Sequence, residues 1–294
     1  MPRKRGRESF SGVPARKRLP TPFSTAVTVA ALAVAIGCNR SAPGGEARRT
    51  GQPPATGSAR VVRIAAASDL RYALGEVTVQ LRQIQPELDL QVAYGSSGTF
   101  FAQIVNGAPF DLFMSADIEY PRQLASRGLT TPDSEFTYAV GRLVLWVPAA
   151  SPLDVERGGM ETLLDSRVAY VSIANPEHAP YGRAAEAAMR EAKVYDRVRS
   201  RLVFGENVSQ ALQFVQSGAA QAGLVALSLA VAPTVKPSGK FWIVPAELHP
   251  PIDQGGIILR AAADVEAARA VRAFLLGERG RAILKQYGFS VNGN

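Results

Sequence analysis

From Val61 onward the chain alternates short apolar or β-branched runs with stretches of helical period. Bounded by turn residues, such runs predict strands at Val61–Ala66, Leu88–Tyr94, Leu112–Met114, Leu143–Val147, Val168–Ile173, Leu202–Phe204, Ala222–Leu227, Phe241–Val244 and Ile257–Leu259. Between the first two, Leu70, Ala73, Leu74, Val77, Leu81 and Ile84 recur at helical spacing and Pro86 follows, which predicts a helix ended before the proline. Further helices are predicted over Arg183–Ala192, over Ser209–Ser217 (stopped by Gly218) and over Val265–Leu276. Repeated strand–helix–strand units predict an α/β fold of mainly parallel sheets flanked by helices.

The pattern upstream of Val61 is different. Arg3, Lys4, Arg5, Arg7, Arg16, Lys17 and Arg18 form a basic leader, and Ala26 to Gly37 is an uncharged run of twelve residues that ends at Cys38. A basic stretch followed by a short apolar one predicts a secretory signal over residues 1–37, and the apolar run is too short for a stable membrane span. The run Ala35-Ile36-Gly37-Cys38 resembles a bacterial lipoprotein cleavage box, although Ala35 stands where leucine is usual. That resemblance implies lipidation of Cys38 and an anchor at a membrane surface. An ordinary signal peptide with an incidental cysteine is the alternative. Residues 39–60 contain no Val, Ile, Leu or aromatic residue and cannot bury enough apolar surface to offset their ordering entropy. Residues 38–60 are therefore expected to be a flexible tether and residues 61–294 the folded part.

Charge changes meaning once it is located. The formal net charge is +8, but residues 1–60 hold eleven Lys/Arg and two Asp/Glu, leaving 22 basic and 23 acidic residues for the remainder, a net of −1. The body offers no basic surface for DNA or RNA. One cysteine excludes an intrachain disulfide and any zinc site on paired cysteines, and His178 and His249 alone make no histidine-rich metal centre.

Four strand-to-helix junctions carry the candidate chemistry: Ala66-Ala67-Ser68-Asp69, Tyr94-Gly95-Ser96-Ser97-Gly98-Thr99, Asn175 to Gly182, and Gly205-Glu206-Asn207-Val208-Ser209. In open α/β sheets ligands sit at the carboxyl ends of strands, where helix N-termini present free N–H groups to anions. Serine hydroxyls add donors, while Gly95 and Gly98 let backbone approach a ligand. Arg71 and Arg183 lie inside the following helices, so neutral dipoles would hold an anion here. Taken singly, each junction reads first as an ordinary helix cap. Asp69 would repel a neighbouring anion, and facing its own helix N-terminus is the alternative. Asp111 and Asp117 read first as structural or hinge-side residues, His178 as a surface residue of its loop, and Trp146 and Trp242 as packing near the lobe crossings. Neither phosphate-binding glycine signature is present, and Thr99 occupies the last glycine position of a nucleophile elbow.

Together these turns resemble the molybdate-binding protein family of bacterial molybdate ABC importers, which are type II periplasmic binding proteins. The matching segments are Ala65–Leu70 (AAASDL), Tyr94–Ile104 (YGSSGTFFAQI), Asn106–Asp117 (NGAPFDLFMSAD), Ala174–Met189, Glu206–Ser228 and Tyr287–Phe289. They fall in the family's order across essentially all of 61–294. The resemblance implies a two-lobed fold, with lobe 1 about 61–144 plus 256–294 and lobe 2 about 145–255. The chain would cross around Gly141–Pro148 and return around Ile252–Leu259, and the oxyanion would lie in the cleft between lobes. It implies hydroxyl and backbone donors from Ser68 and Ser97 and backbone N–H donors from Tyr181 and Val208, with Asp69 where some members use a second first-lobe donor. The tyrosine that some members contribute after the Val208 helix is replaced by Ala226. The molybdate or tungstate would be held through its oxygens, with no protein ligand to a metal cation, no cofactor and no catalysis.

The implied protein is a monomeric, extracytoplasmic, lipid-anchored receptor that serves the permease and ATPase subunits of an importer. Alternatives are a receptor for sulfate, phosphate or a small carboxylate, or an enzyme on the same fold using Asp69, His178 or Glu206. A regulator's effector domain is a further alternative, disfavoured by the leader and by the lack of a helix-turn-helix.

Overall fold

The computed structural model describes residues 59–291; the expected signal segment 1–37, Cys38 and nearly all of the expected tether lie outside the described residues. In chain order the strands are β1 (Arg60–Ala67), β2 (Leu88–Gly95), β3 (Leu112–Ser115), β4 (Phe136–Gly141), β5 (Leu143–Pro148), β6 (Val171–Ala174), β7 (Leu202–Gly205), β8 (Ala222–Ala226), β9 (Gly239–Ile243) and β10 (Ile252–Ile258). The α-helices are α1 (Arg71–Ile84), α2 (Ser97–Val105), α3 (Glu119–Ser126), α4 (Val155–Gly158), α5 (Pro180–Glu191), α6 (Tyr195–Val198), α7 (Val208–Gln216), α8 (Leu227–Ala230), α9 (Val265–Leu276) and α10 (Glu278–Gln286).

The strands form two five-stranded sheets on one plan, β2-β1-β3-β10-β4 and β7-β6-β8-β5-β9. In the first, β1 runs parallel to β2 and β3, and β10 runs antiparallel to β3 and β4. In the second, β6 runs parallel to β7 and β8, and β5 runs antiparallel to β8 and β9. Four strands of each sheet thus point the same way, and the reversed one carries the chain across from the other sheet. Both sheets are mixed for that reason. The crossings fall at strand ends: Leu143–Pro148 is one uninterrupted ladder of the second sheet and Ile252–Ile258 belongs to the first. Leu143–Val144 therefore sit in the second sheet and Ile252–Gly255 in the first, a few residues from the passages expected at about 144 and 256.

The interior strands are mostly apolar because both faces are covered. Val62, Ile64 and Ala66 of β1 pack with Leu74, Val77 and Leu81 of α1. The alternate residue Ala65 points to the other face, where Phe113, Ile257, Phe100, Ile104 and Leu124 cover it. Arg60, assigned to the tether by composition, instead opens β1 and pairs with Asp264 at 2.7 Å. The strand expected from Val168 begins at Val171, because the Ala169 and Tyr170 amides bond to the Gln221 side chain at 3.1 and 2.9 Å instead of joining the ladder. Leu227, expected to end a strand, opens α8.

In the second sheet Gly239 lies where a Cβ would stand 2.0 Å from the fully buried Trp146 ring. Gly239→Ala is expected to destabilise the fold by about 1–3 kcal/mol, the usual range for overpacking. Urea unfolding would show it as a lower midpoint at unchanged slope.

Candidate functional site

The carboxyl ends of β1, β2 and β3 meet those of β6 and β7 across the gap between the sheets, and each strand delivers one chemically useful turn there. After β1 the chain makes a 3-10 turn over Ser68–Leu70 before α1. After β2, Ser96 is the N-cap of α2 and Ser97 its first residue. Helix α5 opens with Pro180, which has no N–H, so Tyr181 carries the first amide donor of that helix. At α7 the N-cap Asn207 accepts from the Ser209 and Gln210 amides at 3.1 and 3.2 Å. This cap serves the second and third amides and leaves the Val208 N–H free.

These turns enclose one small cavity, lined by Ser68, Asp69, Ser97, Tyr181 and Val208 together with Ala67, Gly95, Ser96, Ala116, Ala179, Pro180 and Asn207. Only about 10 Å³ of it is open to the centre of a water-sized sphere. That is about the room one water needs, so the donors converge on a compact, nearly filled site. All five singled-out residues are buried, none more than 4% exposed. Ser97 Oγ accepts from the Ala116 amide at 3.0 Å and Ser68 Oγ from the Ser209 amide at 3.3 Å. Each hydroxyl already has its acceptor role filled, so its own proton is free to be donated. The cavity is thus ringed by O–H and N–H donors.

The electrostatics are unusual for an anion site. No Lys, Arg or His is among the lining residues, and the one carboxyl is that of Asp69. Burial pushes Asp69 up to about 6, against the opposing hydrogen bonds of Gln254, Tyr181 and the backbone of its own turn. Gln254 Nε2 reaches Asp69 Oδ2 at 2.5 Å and the Tyr181 hydroxyl at 3.3 Å. Burial, with Asp69 beside it, holds the Tyr181 hydroxyl well above its usual range.

Bonds between the sheets surround the cavity. Ser209 Oγ donates to Ser68 O at 3.0 Å, Ser228 Oγ to Asp69 O at 2.8 Å and the Gly98 amide to His178 O at 2.9 Å. Ser96 Oγ donates to the same His178 carbonyl. On one rim Arg183 pairs with Asp117 at 2.5 Å and reaches the Tyr120 hydroxyl at 3.3 Å. On the other, Thr99 Oγ1 donates to Glu206, whose carboxylate lies 3.3 Å from His178 Nε2.

Several expectations gain content here. Asp117, expected to be structural or hinge-side, joins the two lobes through Arg183. Asp111 is structural, accepting from the Arg63 and Ala263 amides at 2.7 and 2.8 Å. His178 contributes through its carbonyl, and neither its ring nor Glu206 lines the cavity. Ala226 ends β8 opposite Leu143, away from the lining. Sequence reasoning missed Gln254 and Tyr138. Gln254 comes from a stretch, Asp253-Gln254-Gly255-Gly256, whose composition signals a turn, yet it is wholly buried in β10. Tyr138 is buried on the unpredicted strand β4 and donates to Ser115 O at 3.0 Å.

Residues 62–290 match the family described as bacterial extracellular solute-binding protein. The molybdate-binding protein ModA of Rhodobacter capsulatus is 40% identical over 197 residues, 67% of this chain and 75% of that protein. The protein of the same name from Azotobacter vinelandii is 40% identical over 199 residues, 68% of this chain and 78% of the relative. Among solved structures, the periplasmic molybdate-binding protein of Azotobacter vinelandii superposes with a TM-score of 0.73 at 32% identity, covering 79% of this chain and all of that one. The sulfate-binding protein SubI of Mycobacterium tuberculosis, at 14% identity and a TM-score of 0.64, shares the fold. This chain belongs to the bacterial extracellular solute-binding protein family.

Proposed function

We propose that this protein is the extracytoplasmic receptor of an ABC importer, and that it captures molybdate, with tungstate as the close analogue. The observation that carries this reading is the convergence of Ser68, Ser97, Tyr181 and Val208 on one small, buried cavity. Two hydroxyls from the first lobe and two helix-start amides from the second would each bond an oxygen of the anion, and none touches the metal atom. Uncharged donors and helix dipoles offset the anion's charge. The names of the relatives from Rhodobacter and Azotobacter support the choice of anion. Release to a permease driven by an ATPase subunit follows from the receptor role. Cys38, as a lipid attachment point, would hold the protein as a monomer at the outer face of a membrane. The donor ring binds and performs no bond chemistry.

Selectivity follows from size. Donors fixed around a large tetrahedral anion cannot all reach a smaller one, and each buried donor left unpaired costs about 1–3 kcal/mol. Isothermal titration of the purified protein should show one-to-one binding of molybdate and of tungstate, with sulfate and phosphate silent at the same concentration. A clear preference for sulfate or phosphate would overturn the assignment of the anion.

A further inference from the structure

We propose that the cleft takes up one proton together with its oxyanion and holds that proton on Asp69. This rests on the receptor reading above and adds to it a role for the one carboxyl at the site.

Asp69 is 1% exposed and borders the cavity. Its Oδ2 takes the Gln254 amide, and Tyr181 and the backbone of its own turn add neutral hydrogen-bonding groups, while Oδ1 has no partner within hydrogen-bond geometry, and neither has Gln254 Oε1. A buried carboxylate needs a cation or a full set of donors to stay charged. The elements packed on its turn supply no cation. Helices α7 and α8 contain no ionisable residue. On α1, Arg71 turns to the Tyr94 ring of β2 at 5.7 Å, and Arg82 pairs with Asp89, also of β2. Glu76, the remaining acid of α1, lies beside Tyr287. From β4 comes Tyr138 and from α5 Tyr181, both held protonated by burial. Arg183 of α5 is committed to Asp117. From β10 comes the neutral Gln254.

An anion entering this cavity therefore meets a carboxyl that neutral groups surround and no cation accompanies. Burial has already raised that carboxyl to about 6, and a second negative charge alongside raises it further. Near neutral pH the balance is Asp69 carboxylate plus oxyanion plus one proton giving Asp69 carboxylic acid plus bound oxyanion. Protonation also turns a buried acceptor without a donor into a donor. The sign follows from linkage. The bound-state value lies above the free-state value of about 6, so affinity is full below that pH. It then falls by up to about tenfold per pH unit above it, until the bound-state value is passed.

The test is titration calorimetry of the purified chain with micromolar molybdate from about pH 5.5 to about pH 8.5, in buffers of different ionisation heat. Wild type should take up close to one proton near neutral pH and lose affinity tenfold per unit over at least one unit. Asp69→Asn should take up none, show no such slope and bind more tightly than wild type at the alkaline end. The anion's own protonation acts on both proteins alike. A wild-type affinity independent of pH, or the same slope in Asp69→Asn, overturns the proposal. A second readout needs no variant: binding at neutral pH should add the infrared carbonyl band of a protonated carboxyl, and its absence overturns the proposal. Molybdate binding at no pH removes the receptor reading and this inference with it, whereas binding without proton uptake removes this one alone.

Discussion

Gly98→Ala is expected to lower oxyanion affinity roughly a hundredfold or more, and also to lower the melting temperature of the ligand-free protein, because the Gly98 amide already meets the His178 carbonyl there at 2.9 Å. Gly98 lies in the first turn of α2, and a Cβ there would stand 2.7 Å from the His178 carbonyl oxygen and 2.9 Å from its Cα. Those atoms belong to the opposite lobe, so the methyl group acts as a spacer between lobes. Within its own lobe the nearest atom is the end of the Tyr120 side chain, at 2.8 Å, which can swing aside. His178 stands three residues before Tyr181, so pushing it back withdraws the second-lobe donors. Two hydrogen bonds to a charged ligand, at about 1.5–3 kcal/mol each, amount to a hundredfold at least. Titration calorimetry paired with thermal unfolding reads both halves. An affinity within a few-fold of wild type would mean that the bound form does not bring these backbones together.

Ser97→Ala is the second large effect, a loss of about ten- to a hundredfold. The hydroxyl both accepts the Ala116 amide at 3.0 Å and carries the free proton offered to the anion. Its removal leaves one oxygen of the anion without a donor and one buried amide without an acceptor, each worth about 1–3 kcal/mol. The orphaned amide is present with or without ligand, so it lowers melting temperature and only the missing donor lowers affinity. Binding as tight as in wild type would take Ser97 out of the site.

The α/β character and most strands were legible because interior strands covered on both faces read as apolar runs, unbroken in Leu143–Val147 and interrupted only by Arg63 in Val61–Ala66. Strand β4 escaped because it is a short edge strand in which Phe136 and Tyr138 face inward and Thr137 outward, a pattern of only three informative positions. Strand β10 was seen only at its Ile257 end. The junction serines announced themselves by residue type and position after a strand. Val208 could not, since its contribution is a backbone N–H that any residue would supply; resemblance alone singled it out. The surroundings of Asp69 were illegible for another reason. Gln254 and Tyr138 reach it from strands far along the chain, and nothing local in either segment marks a polar partner.

Strand β10 lies between β3 and β4 in the first sheet, although more than a hundred residues separate it in sequence from either neighbour. Until Ile252–Ile258 has been synthesised, β4 has no partner in its sheet and β3 is open along one side. Every contact that closes this gap is long-range, the kind that forms slowly because a large loop must be closed first. The first sheet cannot be completed on the ribosome ahead of the C-terminal segment, so that half of the molecule stays open until synthesis is nearly finished, whereas the strands of the second sheet all precede β10 and wait for nothing later.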